Sequence, residues 1–217
     1  PSRQVILGSA RVSEEGETEE LPTSIYSTGM TANQIYTEAC NYQVVGINTS
    51  VNTRNSWGQT TARAVSGSGF VIGADGYILT NYHVISYAVR YQGELTVMFE
   101  DGTTVTVPEN GIIGYSEEND VAVIKIDPTG LELNPVVIGD SNSLKVGETV
   151  YAIGNPLGEL AYSMTPGIVS ALDRIITTRD EDTGVSKSIN MFQISAAVNS
   201  GNIFHLDTPS VPPAPSK

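Results

Sequence analysis

Residues 67–84 read Gly67-Ser68-Gly69-Phe70-Val71-Ile72-Gly73-Ala74-Asp75-Gly76-Tyr77-Ile78-Leu79-Thr80-Asn81-Tyr82-His83-Val84. An apolar run meets Gly73-Ala74-Asp75-Gly76, whose residues favour a tight turn, and resumes as Tyr77–Thr80. Two β-rich runs around such a turn predict a hairpin. The second strand then delivers the chain into a histidine, His83.

Working outward, the same pattern recurs. Val44–Val51 is a β-branched strand, and Thr31–Cys40 before it can form a short helix with Thr31 or Asn33 as N-cap. Leu95–Phe99 turns at Glu100-Asp101-Gly102 and resumes at Thr103–Val107, and Val121–Ile126 is another apolar run. Pro128-Thr129-Gly130 breaks the chain, after which Pro135–Ile138, Thr149–Ile153, Ser163–Leu172 and Ser188–Ser195 are candidate strands. From residue 41 onward the text reads as β throughout. Short strands at regular spacing predict an all-β barrel or sandwich.

The expected organisation is a flexible acidic leader over 1–30, a short helix and first barrel over 31–127, and a second, partial barrel over 128–202. Residues 203–217 form a Pro-rich tail, whose 208–215 segment holds four prolines and no ladder donors at those positions. The chain starts at Pro1, so any targeting segment is expected upstream of it.

Composition narrows the function. A net charge of −13 argues against nucleic-acid binding, because phosphate backbones attract basic surfaces. Cys40 is the only cysteine, which excludes an intramolecular disulfide and reads as a small hydrophobe. No run of 18 apolar residues is present to cross a membrane as a helix. Asp180, Glu181 and Asp182 lack the glycine and terminal glutamate of a calcium loop, so no metal and no cofactor is expected.

The chemistry centres on His83. Acyl transfer to a hydroxyl needs an imidazole to take the proton and a carboxylate to hold that imidazole in one tautomer. Asp120, in Asn119-Asp120-Val121-Ala122-Val123, follows His83 on the edge of a different strand. A lone histidine is more often structural; the setting of this one is what makes it a candidate.

That setting resembles the HtrA-type trypsin-like serine proteases. The resemblance rests on the 67–84 stretch, on Asn119–Ile126, and on Gly139-Asp140-Ser141. It continues through Val146–Gly158 and Thr165–Arg174, in the family's order, from about residue 44 to 202. It implies a chymotrypsin-like double β-barrel with the cleft between barrels, His83 as general base and Asp120 as its orienting carboxylate. Thr80 and Asn81 are expected to support strand and turn geometry. The family's Asn-Pro-Gly-Asn-Ser-Gly-Gly-Pro motif supplies the nucleophile and oxyanion hole. Here Asn199, Gly201 and Asn202 align with it, Ser200 takes the proline position, and Gly201 would be the oxyanion-hole glycine.

Position 203, where the resemblance requires the serine, is Ile203, which has no hydroxyl. The second barrel is also expected to be partial, since no Gly-rich strand pair follows residue 203 in this sequence. By resemblance the chain descends from an endopeptidase that cleaves extended or unfolded polypeptides in protein quality control, in the cell envelope or outside the cell. Such relatives are usually homotrimers with a PDZ domain; no PDZ domain is expected within residues 1–217. Ser200 is the fallback nucleophile, three residues early in register, and His205 has no assigned role. The alternatives are a pseudoprotease that binds peptides without hydrolysis, or a frameshift or junction after Asn202. Residues 173–190 occupy the place of a family loop that senses activating ligands, or form a solvated acidic hairpin.

Overall fold

The computed structural model describes residues 31–54, 60–155, 162–179 and 186–196. It begins with α1 (Ala32–Cys40), capped by Thr31. The Thr31 hydroxyl accepts the Gln34 N–H at 3.3 Å while the Gln34 side-chain oxygen accepts the Thr31 N–H at 2.8 Å. This reciprocal box satisfies two of the donors a helix start leaves open. The buried side of α1, Ile35 and Ala39, packs against Val44, Ile153 and Tyr162.

Two long strands follow, β1 (Val44–Arg54) and β2 (Thr60–Val71), paired antiparallel from Val44↔Phe70 to Arg54↔Thr60. Next come β3 (Tyr77–Thr80), α2 (Tyr82–Tyr91), β4 (Glu94–Met98), β5 (Thr104–Thr106), β6 (Ile112–Ser116) and β7 (Val121–Lys125). These strands form one seven-stranded sheet in the order β5-β4-β1-β2-β3-β7-β6. Alternating residues supply its core: Val45, Ile47, Val71, Ile78, Val97, Ala122, Ile124 and Ile126 are all buried. Period-two alternation sends these side chains to one face, so register and burial specify each other.

The remaining strands, β8 (Thr149–Gly154), β9 (Ser163–Arg179) and β10 (Ser186–Ile194), form a second sheet in the order β10-β9-β8. Leu144, Val150 and Val169 make its small core, with Leu172, Phe192 and Ile194 packed against it. The β9–β10 ladder slips between Met191 and Gln193, where β9 carries an extra residue and Asp173 sits at φ 56. An added residue of this kind bends the strand and increases its twist.

Several bonds tie segments flanking the second sheet to the first. The Asn155 N–H donates to the Ser68 hydroxyl at 2.8 Å, and the Val136 N–H donates to the Val71 carbonyl at 2.9 Å. The Tyr162 hydroxyl accepts the Gly46 N–H at 3.1 Å and donates to the Met98 carbonyl at 2.8 Å. Burial pushes the Tyr162 hydroxyl pKa upward, so it stays protonated as the donor that geometry requires.

The sheets agree with the expected all-β class, and three local readings change. Residues 82–91 are helical, not β. Their buried positions, Tyr82, Val84, Ile85 and Ala88, recur at helical spacing and face the sheet. Gly67 permits this approach, since a Cβ there would run into the Val84 side chain. Strand β6 was not expected, and residues 135–138 form no ladder although Val136 is bonded to Val71. Residues 173–179 and 186–190 are the arms of a β9–β10 hairpin. The acidic tip, the leader over 1–30 and the tail over 203–217 lie outside the described residues.

Candidate active site

His83 is the second residue of α2, after Asn81 at the N-cap and Tyr82. The first N–H groups of any helix lack partners within it. The N-cap residue commonly supplies one, but the Asn81 side chain makes no capping bond. Asp120 does so from 37 residues away: its Oδ1 accepts the His83 backbone N–H at 2.8 Å. A carboxylate at this end also meets the positive pole of the helix dipole.

The second carboxylate oxygen completes the pair. Asp120 Oδ2 lies 2.7 Å from His83 Nδ1. An ionised carboxylate can only accept, so Nδ1 carries the proton and Nε2 is left with its lone pair when the ring is neutral. Asp120 thus grips both backbone and ring of one residue, fixing ring direction and tautomer together. The His83 side chain is 63% exposed and that of Asp120 31%, which leaves the ring open to an incoming group.

Local sequence explains the placement of Asp120. It follows Asn119, whose backbone and side-chain N–H groups both donate to the Ser116 hydroxyl, at 3.2 and 2.9 Å. Asp120 itself has φ 52, in the left-handed region that Asn and Asp tolerate better than most residues. The β3–β7 pairing of Thr80 with Ala122 then sets Asp120 beside the start of α2. From the other side, the Thr49 hydroxyl donates to the Val84 carbonyl at 2.7 Å and ties α2 to β1.

Beside the pair, Tyr82 stacks on Tyr115 with ring centroids 5.0 Å apart, and Arg90 bonds Glu117 at 2.7 Å. Thr80, expected to serve local geometry, donates from its hydroxyl to the Ser68 carbonyl at 2.8 Å. Thr49 and the Asn81–Asp120 contact were not anticipated from sequence. Their signal lies in pairing across strands, which no local pattern carries.

Of the sequence candidates, the structure brings His83 and Asp120 together. Ser200, Gly201 and Ile203 lie outside the described residues. Burial pushes the Cys40 thiol up, away from the thiolate form a nucleophile needs. Among the described residues, no group of three His, Cys, Asp or Glu side chains is placed to hold a metal ion. No helix among them is long and apolar enough to cross a membrane.

Comparison with known proteins bears on family and fold. The model of the trypsin-like peptidase domain matches residues 67–203. Protease Do-like 5, chloroplastic, of Arabidopsis thaliana is 42% identical over 142 residues, covering 63% of this chain and 42% of the relative. A probable periplasmic serine endoprotease, DegP-like, of Brucella suis is 42% identical over 136 residues, covering 63% of this chain and 24% of the relative. The chain thus spans less than half the length of these curated relatives. The crystal structure of Deg5 superposes with a TM-score of 0.59 at 35% identity, covering 81% of this chain and 80% of that one. An HtrA-type protease solved with a decapeptide matches the fold with a TM-score of 0.60 at 24% identity, covering 81% and 56% of the two chains. This chain therefore belongs to the trypsin-like peptidase domain family and is an HtrA-like serine protease by fold and descent.

Proposed function

We propose that His83 and Asp120 are the base and orienting carboxylate of a site built for acyl transfer from extended polypeptides, and that this chain does not cleave them. The 2.7 Å Nδ1–Oδ2 contact carries the first half of this reading, since it leaves Nε2 as the free base. Ile203 at the expected nucleophile position carries the second. Without a hydroxyl at position 203 the expected nucleophile is missing, and with it the acyl intermediate formed there. What then remains is the residual catalysis of positioning and any oxyanion hole, at Gly201 by resemblance, a loss on the order of 10⁶ in kcat where a serine protease loses its nucleophile.

A binding role without hydrolysis follows from the same parts. An exposed His83 ring, and an exposed aromatic, Tyr115, stacked on its neighbour Tyr82, offer a surface that can hold polypeptide without cutting it. A periplasmic relative supports a location in the cell envelope or outside the cell, while a chloroplastic relative matches at the same identity. The test uses a dye-quenched unfolded polypeptide, read for both dequenching and anisotropy. The expected result is a rise in anisotropy with no cleavage detectable over the assay. Cleavage that disappears in His83→Ala would show a working nucleophile and end the inactive reading. No rise in anisotropy would end the binding role.

A further inference from the structure

We propose that Asn81 is a positioning residue for the His83–Asp120 pair, holding the Asp120 main chain so that both carboxylate oxygens meet His83. This rests on the proposed reading of the pair as base and orienting carboxylate.

Asn81 has the extended backbone of an N-cap, φ −86 and ψ 144, and a residue type that caps well. Its side chain nevertheless makes no cap bond. It turns across the strands instead, and Nδ2 donates to the Asp120 carbonyl at 2.9 Å. Capping is done by Asp120 Oδ1 on the His83 N–H. The two segments therefore exchange roles. Asn81 serves the main chain of Asp120, while the Asp120 side chain serves the main chain and ring of His83.

The exchange has a consequence at Asp120. Its φ of 52 is a conformation that crowds a Cβ against the carbonyl and persists only where surroundings hold it. Val121, the next residue, already pairs with Ser116 in the β6–β7 ladder. The Asp120 carbonyl is fixed by the Asn81 amide, so the peptide plane following Asp120 cannot rotate. With that plane free, the carboxylate would swing about the main chain and Oδ2 would leave Nδ1. A chain of three hydrogen bonds, 2.9, 2.8 and 2.7 Å, runs from Asn81 through Asp120 to the ring.

Asn81→Ser and Asn81→Asp separate this role from capping. Both residues cap helices as well as Asn does. Neither can donate to the Asp120 carbonyl: Ser is too short to reach, and an ionised Asp has no proton to give. The readout is the low-field Nδ1 proton of His83 in chain labelled with ¹⁵N-histidine, assigned by its persistence in His205→Ala. The native chain should show this resonance. In both variants it should vanish, or exchange with solvent roughly tenfold faster, the weight of one ordinary hydrogen bond. Helix signal and melting temperature should stay near native. Native-like resonances in both variants would overturn the positioning role and leave the base–carboxylate reading standing. Its absence from the native chain would overturn that reading and this one with it.

Discussion

Gly76→Ala should unfold at a markedly lower urea concentration than the native chain, with a loss of about 3–4 kcal/mol. Gly76 closes the turn between β2 and β3, its N–H donating to the Gly73 carbonyl at 3.0 Å. It sits at φ 97, where a side chain is strained at a cost of about 1–2 kcal/mol. An added Cβ would also lie far inside contact with the Ile126 carbonyl oxygen. Backbone cannot step aside there, because the Ile126 N–H bonds the Gly76 carbonyl at 3.1 Å. Relieving such overlap typically costs a further ~1–3 kcal/mol. Gly102→Ala is the control: φ is 87, but nothing lies within 4 Å of the new atom. It should lose about 1 kcal/mol, the strain alone. Equal losses at the two positions would mean that the Ile126 contact is not as described.

Tyr162→Phe is the second large expected effect, about 2–4 kcal/mol for the loss of one oxygen. Gly46 and Met98 are register partners at the end of the β1–β4 ladder. The Tyr162 hydroxyl stands between them, taking the N–H of one and giving its proton to the carbonyl of the other. Tyr162 is only 8% exposed, so phenylalanine leaves a donor and an acceptor buried without that partner. Each such orphan costs roughly 1–3 kcal/mol. Tyr36→Phe offers the comparison, since it removes a part-buried bond of 3.2 Å to the Tyr162 carbonyl and a weaker side-chain bond with the Cys40 thiol. That variant should lose about 1 kcal/mol. Tyr162 sits where α1, β1 and β8 meet, so its loss should also loosen the two sheets. Losses of the same size in the two variants would remove Tyr162 from that role.

The hairpin of β2 and β3 was legible because its signals are local. Apolar alternation runs up to Gly73-Ala74-Asp75-Gly76 and away from it, and each residue type suits its place. Helix α2 was not legible for the opposite reason. Tyr82, Val84, Ile85, Tyr87 and Val89 are residues that favour strands, and the helix start is capped by a carboxylate 37 residues downstream. Packing of Val84 and Ile85 into the first sheet overrides the local preference. Strand β6 hides behind Gly114 and a register slip between Ile112 and Gly114. Residues 135–138 show the reverse case, an apolar run that looks like a strand but takes no ladder partner.

The candidate site divides along the same line. His83 and Asp120 could be named from their surroundings in sequence. Their separation of 2.7 Å could not, because it depends on β3 pairing with β7 in the Thr80↔Ala122 register. Asn81 shows how much is lost without geometry. In sequence it reads as support for strand and turn geometry, and in the structure its side chain serves Asp120.

We propose a protease fold in which His83 and Asp120 are paired and position 203, where the nucleophile is expected, holds Ile203. Intact-mass analysis after incubation with a fluorophosphonate probe tests it most directly, with His83→Ala alongside. The folded native chain should keep its unmodified mass, as His83→Ala does. A single adduct on the native chain that is missing from His83→Ala would contradict the claim, and mapping it to Ser200 would identify the nucleophile.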